Sequence, residues 1–82
     1  MMPLNHQRLM QVIVYSRVGC HLCEEAIALL ARYGLQATEV DIDADPELRA
    51  LYNTYVPVVE IDGIVRFRGR VDPVLLERLL AH

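Results

Sequence analysis

The stretch that decides the fold is Val12-Ile-Val-Tyr-Ser16-Arg-Val-Gly-Cys20-His-Leu-Cys23-Glu-Glu-Ala26-Ile-Ala-Leu-Leu30. Its first four residues are β-branched or aromatic, which predicts a buried strand over residues 12–15. Ser16-Arg-Val-Gly19 reads as a loop with a glycine hinge. From about His21 the period changes. Cys23, Ala26, Ile27 and Leu30 fall at i, i+3, i+4 and i+7, one apolar stripe of a helix. A strand therefore runs into a loop, and the loop opens a helix at Cys20. Gly34 ends that helix, as glycine does just past a C-terminus.

Downstream, Thr38, Val40 and Ile42 alternate with Glu39 and Asp41, the pattern of a half-buried strand. Two strands joined by a crossover helix are parallel, with a right-handed connection. Asp45-Pro46 combines an N-cap with a proline at the first helical position, and a short helix follows with Leu48, Leu51 and Tyr52 on one side. Val56-Pro57 leads into a strand over residues 57–61. Asp62-Gly63 is a two-residue hairpin signal, and its second strand covers residues 64–68. Gly69 closes the hairpin. Asp72-Pro73 repeats the cap-plus-proline signature ahead of a helix over residues 74–80, amphipathic through Leu75, Leu76, Leu79 and Leu80. The order is β-α-β-α-β-β-α, an α/β chain with a four-stranded mixed sheet flanked by helices. Residues 1–10 are polar and read as an irregular lead-in to a single domain over residues 11–82.

With 82 residues the chain supports one domain, which buries about 60–65% of the surface its unfolded form exposes. Hydrophobic residues make up 54% and charged residues 23%, an ordinary globular balance. A net charge of −3 argues against a nucleic-acid partner, which calls for a basic face. All eight basic residues are Arg. Arg66, Arg68 and Arg70 alternate on one face of a strand, too few for a phosphate track. No apolar run approaches the ~18–20 residues of a membrane span, and residues 1–10 lack a signal peptide's apolar stretch. A cytoplasmic location and no membrane partner are the expectations. In a reducing compartment, two cysteines two residues apart point to redox chemistry or a metal rather than to a structural staple.

The nucleophile in disulfide exchange is the thiolate, and a free cysteine of pKa about 8.5 is only about 3% ionised at pH 7. The unpaired N–H groups and dipole at a helix N-terminus favour the anion. Cys20, at the mouth of the helix, is thus the expected nucleophile. Cys23 lies almost one turn on, within reach of Cys20 but directed into the apolar stripe, as suits a resolving thiol. His21, between them, favours the thiolate if protonated; as a solvated first-turn residue it does nothing. Glu24 and Glu25 read as a solvated face. A structural metal needs two more ligands, and the histidines available are His6, His21 and His82. No metal site is therefore expected.

These features resemble the glutaredoxins, and more broadly proteins of the thioredoxin fold. The match runs from Gln11 to Leu80. It rests on residues 12–15 followed by Ser-Arg-x-x-Cys-x-x-Cys, on Val56-Pro57, and on the corner from Gly69 to Asp72 before the last helix. The chain is most similar to a small bacterial glutaredoxin-like family with two acids after the Cys-x-x-Cys and an Asp-Ile-Asp-like end to the second strand. The resemblance implies a thiol–disulfide oxidoreductase of cell redox homeostasis that reduces protein or glutathione mixed disulfides. It implies no bound cofactor and glutathione as a possible co-substrate. It also implies that Pro57 is cis and that the Val56 backbone pairs with an extended glutathione or peptide substrate. Arg17, three residues before Cys20, corresponds to a basic residue that meets a glutathione carboxylate. Gly69 and Asp72 correspond to a corner whose N–H groups bind the other carboxylate, although here it reads Gly-Arg-Val-Asp, one glycine short. His21 stands where proline is usual. The expected partners are glutathione or disulfide-containing proteins, and the expected state is a monomer. A competing assignment is a glutathione or iron–sulfur cluster binding module without dithiol turnover, against which the presence of Cys23 counts. A third is a degenerate interaction domain with inert thiols.

Overall fold

In the computed structural model, which describes residues 10–81, β1 (Val12–Ser16) and β3 (Val58–Ile61) form the centre of a four-stranded sheet. The edges are β2 (Thr38–Asp41) beside β1 and β4 (Ile64–Arg68) beside β3. The helices are α1 (His21–Arg32), α2 (Pro46–Tyr52) and α3 (Pro73–Leu80). β1 pairs with β2 in parallel and with β3 antiparallel, and β3 pairs antiparallel with β4. The sheet is mixed and the element order is the one the sequence predicts. The lead-in expected over residues 1–10 lies, apart from Met10, outside the described residues. Met10 itself packs against the core.

The core sits between one face of the sheet and the stripes of α1 and α3. Val12, Val14, Val59, Ile61 and Phe67 from the strands meet Ala26 and Leu30 from α1, and Val71 and Leu76 complete it. Tyr33 at the end of α1 donates its hydroxyl to Glu77 Oε2 on α3 at 2.6 Å, tying the two helices together. On the opposite sheet face Tyr15 meets Tyr52 of α2, ring centroids 5.0 Å apart and tilted by 40°. That is a favourable aromatic arrangement.

The local signals act as their chemistry requires. Asp45 Oδ1 accepts the N–H groups of Glu47 and Leu48, and Asp72 Oδ1 accepts those of Val74 and Leu75, so both aspartates cap their helices ahead of a proline. Asp62 (φ 52°) and Gly63 (φ 85°) both adopt the left-handed region that a type I′ hairpin demands. Asp62 is held there by a reciprocal pair: its N–H donates to the Gln11 carbonyl at 2.8 Å, and its Oδ1 accepts the Gln11 N–H at 2.9 Å.

Several expectations change. β2 ends at Asp41, and Ile42 instead begins a 3-10 turn (Ile42–Ala44) in which it is fully buried. The reason is a side-chain cap: Asp41 Oδ1 takes the Asp43 N–H at 2.9 Å and starts the turn. As an edge strand β2 leaves Thr38 exposed and Val40 only half-buried. Leu51 and Leu75, expected on packed faces, are 59% and 47% exposed. α2 buries none of its residues and α3 buries only Leu76, so these short helices each seat a narrower stripe than the leucine spacing suggests. The expected face of Arg66, Arg68 and Arg70 does not form, because β4 ends at Arg68 before Arg70, and a register shift opposite Val59 and Glu60 leaves Arg66 out of the pairing and breaks its alternation with Arg68.

These packing differences lead to a direct test in urea denaturation. Leu30→Ala, which empties a fully buried position, should cost ~2–5 kcal/mol. Leu51→Ala should stay within ~0.5 kcal/mol of the parent, whereas a loss comparable to that of Leu30→Ala would mean that α2 packs as its leucine spacing suggests.

Candidate active site

The sheet register brings the candidate residues to one end of the molecule. Ser16, the last residue of β1, pairs in parallel with Asp41, the last of β2. Tyr15 pairs antiparallel with Val58, the first residue of β3, and Val58 pairs with Arg68, the last of β4. Residues 17–20, 42–44, 56–57 and 69–72 therefore all leave the sheet at the same end, the carboxyl end of the parallel pair. That is where ligands and reacting groups gather in α/β folds.

At this end the chain turns sharply into α1. The Cys20 N–H donates to the Arg17 carbonyl at 3.2 Å, closing a four-residue turn. Gly19, its third residue, has φ +82°, a value open to glycine at no steric cost. Cys20 is the N-cap of α1: its backbone is extended, and its Sγ accepts the Cys23 N–H at 3.1 Å. A thiol sulfur thus occupies the place usually taken by a Ser or Asp oxygen, against the helix's unpaired donors. The site expects an anion there. Cys20 and Cys23 are joined as a disulfide, with Cα atoms 5.3 Å apart. That separation is ordinary for a bridged pair. The two sulfurs differ in access. Cys20 is half-buried in the loop, while Cys23 is 1% exposed in the α1 stripe.

His21 projects into solvent, its side chain 91% exposed, with Nδ1 3.7 Å from Glu24 Oε1. The Val56–Pro57 peptide bond is cis. Pro57 is buried, and its carbonyl accepts the Gly69 N–H at 2.8 Å. This bond joins the corner after β4 to the loop before β3. It also means that the Gly69 N–H already has a partner within the protein. Asp72 serves α3 as its cap. A groove between α1 and the start of α3 runs away from this corner, lined by Leu22, Glu25, Leu29, Arg32, Arg70 and Asp72 among others.

The guanidinium of Arg17, the residue expected to meet a ligand carboxylate, is engaged within the protein. Its Nε and Nη2 meet Asp43 Oδ2 and Oδ1 at 2.8 and 2.9 Å. Nη1 and Nη2 meet the Asn53 carbonyl and Oδ1 at 3.0 and 2.8 Å. The hydrogen bond from Arg17 holds the Asp43 carboxyl below its usual value, and the same contact raises Arg17. Nearby, Ser16 is a buried polar residue whose hydroxyl donates to Glu39 Oε2 at 2.8 Å. The Tyr15 hydroxyl donates to Glu60 Oε1 at 3.2 Å, and burial, followed by that bond, pushes the Tyr15 phenol up. Asp43 and Asn53 escape a reading of the sequence because they lie 26 and 36 residues from Arg17. The Asp-Ile-Asp-Ala-Asp run was the only local signal, and it points equally to capping.

Among the described residues, no helix is long and apolar enough to cross a membrane. No group of three or more His, Cys, Asp or Glu side chains there is arranged to hold a metal ion.

The model of the glutaredoxin-like domain family (DUF836) matches residues 11–81. The structure is similar to that of a protein from Nitrosomonas europaea, with a TM-score of 0.78 and 28% identity over 96% of this chain and 98% of that one. A protein from X. campestris is 32% identical over 85% of this chain and 95% of that one, with a TM-score of 0.72. A glutaredoxin from Archaeoglobus fulgidus, at 20% identity, TM-score 0.64 and coverage of 100% and 98%, shares the fold, which is that of thioredoxin. No curated protein matches the sequence.

The Arg17–Asp43 pair has a pH signature. Its folded carboxyl value lies below the unfolded one, so the pair adds stability above the usual aspartate range and loses it as pH falls through the lowered midpoint of Asp43. A carboxyl carbon NMR titration should find Asp43 titrating below an ordinary aspartate, and Arg17→Gln should return it to that range. An Asp43 midpoint insensitive to Arg17→Gln would show that the pair does not persist in solution.

Proposed function

This chain belongs to the glutaredoxin-like domain family, and we propose that it reduces protein disulfides or glutathione mixed disulfides through Cys20 and Cys23. The observation that carries the proposal is the position of Cys20 Sγ at the N-cap of α1, accepting the Cys23 N–H, with the buried Cys23 sulfur bonded to it. In the reduced protein the same N–H stabilises a Cys20 thiolate. This anion attacks one sulfur of the substrate disulfide. The substrate S–S bond breaks, its other sulfur leaves as a thiolate and takes a proton, and a mixed disulfide forms on Cys20. Cys23 then gives up its proton and attacks Cys20 Sγ, forming the intramolecular disulfide and releasing the second substrate thiol. Two electrons and two protons pass to the substrate. Two molecules of glutathione, or a dithiol reductase, reverse the change on the protein.

The burial of Cys23 suits this order of events. Its thiol stays out of reach of a bulky substrate and meets only the mixed disulfide on its neighbour. An extended substrate lies along the Val56 backbone beside Pro57, adding its own strand hydrogen bonds. His21, exposed one residue after the nucleophile, and the corner holding Gly69 and Asp72 complete the substrate-side set. The protein acts in the cytoplasm, where glutathione is available.

The test is an equilibrium titration of the pair against glutathione redox buffers, combined with trapping. A two-electron transition between roughly −270 and −180 mV is expected. Cys23→Ser should accumulate one glutathione per chain by mass, held on Cys20, and Cys20→Ser should hold none. The absence of any intramolecular disulfide across that range would overturn the dithiol mechanism. Brown colour in anaerobically purified protein, with loss of both thiols from titration, would replace it with cluster binding.

A further inference from the structure

The Arg17 side chain is anchored to the protein itself, and that anchoring bears on Cys20. Of the five N–H groups of the guanidinium, the Asp43 and Asn53 contacts occupy four: one on Nε, one on Nη1 and two on Nη2. The Asp43 half is bidentate, the geometry in which an ion pair acts as a fixed joint rather than a loose surface contact. Both partners are only partly exposed, with side chains at 30% and 39%. The Asn53 half meets a carbonyl at the C-cap of α2, an end of a helix that attracts a cation. Asp43 is itself fixed, since its N–H is held by Asp41. One side chain thus ties three separate segments together: the β1–α1 turn, the 3-10 turn after β2, and the end of α2. The main chain of the same residue accepts the Cys20 N–H.

We propose that Arg17, locked by Asp43 and Asn53, is a positioning residue that holds Cys20 at the N-cap of α1, and that its guanidinium is not the contact for a substrate carboxylate. The inference rests on the thiolate role given to Cys20 above. With the latch closed, the turn over residues 17–20 has one geometry, and Cys20 Sγ stays within reach of the Cys23 N–H. With the latch open, the turn gains freedom. Cys20 then spends time away from the helix end, where its thiolate loses that donor. A single remaining N–H cannot grip a carboxylate bidentately, so a ligand would have to displace Asp43.

Charge effects and latch effects have opposite or separable signs, which makes the proposal testable. Titratable and charged groups around the turn include His21 and Glu24 on α1 and, across the latch, Asp41, Asp43 and Arg49. Arg17→Lys alters none of their charges but replaces a planar fork by a single ammonium. Asp43→Ala removes an anion, which by electrostatics alone lowers the Cys20 pKa; opening the latch raises it. The measurement is the thiolate absorbance titration of Cys20 in reduced Cys23→Ser protein, with and without each substitution. It is joined to the rate of the reduced dithiol protein with hydroxyethyl disulfide, a probe that carries no carboxylate.

Both variants should raise the Cys20 midpoint, by about one unit, which is a ~10-fold loss of thiolate below the midpoint. The greater nucleophilicity of the more basic thiolate offsets part of that, leaving a ~3-fold slower reaction with the neutral probe. Reaction with glutathione disulfide should slow by the same factor. An unchanged Cys20 midpoint in Arg17→Lys, or a lowered one in Asp43→Ala, would overturn the proposal. So would slowing confined to glutathione disulfide, which would make Arg17 a ligand contact after all. If Asp43→Ala does not fold, Arg17→Lys decides alone. Inertness of the parent protein toward both disulfides would refute the oxidoreductase mechanism, while the titrations would still settle the latch.

Discussion

The structure depends on the placement of one sulfur atom at the end of one helix. Cys20 is the N-cap of α1, and its Sγ accepts the N–H of Cys23. A helix start leaves donors without partners and carries partial positive charge. A sulfur set there is stabilised as an anion without any neighbouring cation being required. The rest of the fold keeps it there. The stripe of Cys23, Ala26 and Leu30 fixes the rotation of α1 about its axis, because those residues are buried. The turn over residues 17–20 fixes where the helix begins, through the Arg17 carbonyl and Gly19.

The same arrangement separates the two thiols. Cys20 and Cys23 lie close but do not share an environment, since Cys20 caps the helix with an extended backbone and Cys23 faces the core. Cys20 can meet a partner from outside and Cys23 cannot. The proposed reduction of a disulfide needs both roles in a fixed order, and that order is consistent with the burial of Cys23. The sheet contributes by register. Because the ends of β1, β2 and β4 and the start of β3 coincide, the cysteine turn, the Val56–Pro57 loop and the Gly69 corner face a shared region. The bond from Gly69 to the Pro57 carbonyl fixes two of these segments to each other.

Much of this was readable from the chain alone, where the determinants are local. Val12 to Tyr15, the α1 stripe, the Asp45-Pro46 and Asp72-Pro73 caps and the Asp62-Gly63 turn each carry their cause within a few residues, and each forms as expected. What could not be read depends on distant partners or on how much of a surface is covered. Leu51 and Leu75 look like core residues by spacing, yet about half of each residue's surface stays exposed, at 59% and 47%. Ile42 looks like a strand residue, but the side chain of Asp41 diverts it into a turn. Within the site, the sequence identified both cysteines and their different surroundings. It could not show that Asp43 and Asn53 occupy the guanidinium of Arg17, because that contact spans 26 and 36 residues.

The most direct examination is limited alkylation of the reduced protein across a range of pH, with the modified cysteine identified by peptide mass. The helix-end placement requires that Cys20 react first and essentially alone, with half-maximal rate at a pH below the ~8.5 of a free cysteine. Cys23 should remain unmodified until the protein is unfolded. Modification of Cys23 at a comparable rate, or a Cys20 midpoint at or above that of a free thiol, would show that α1 does not stabilise its capping sulfur as an anion.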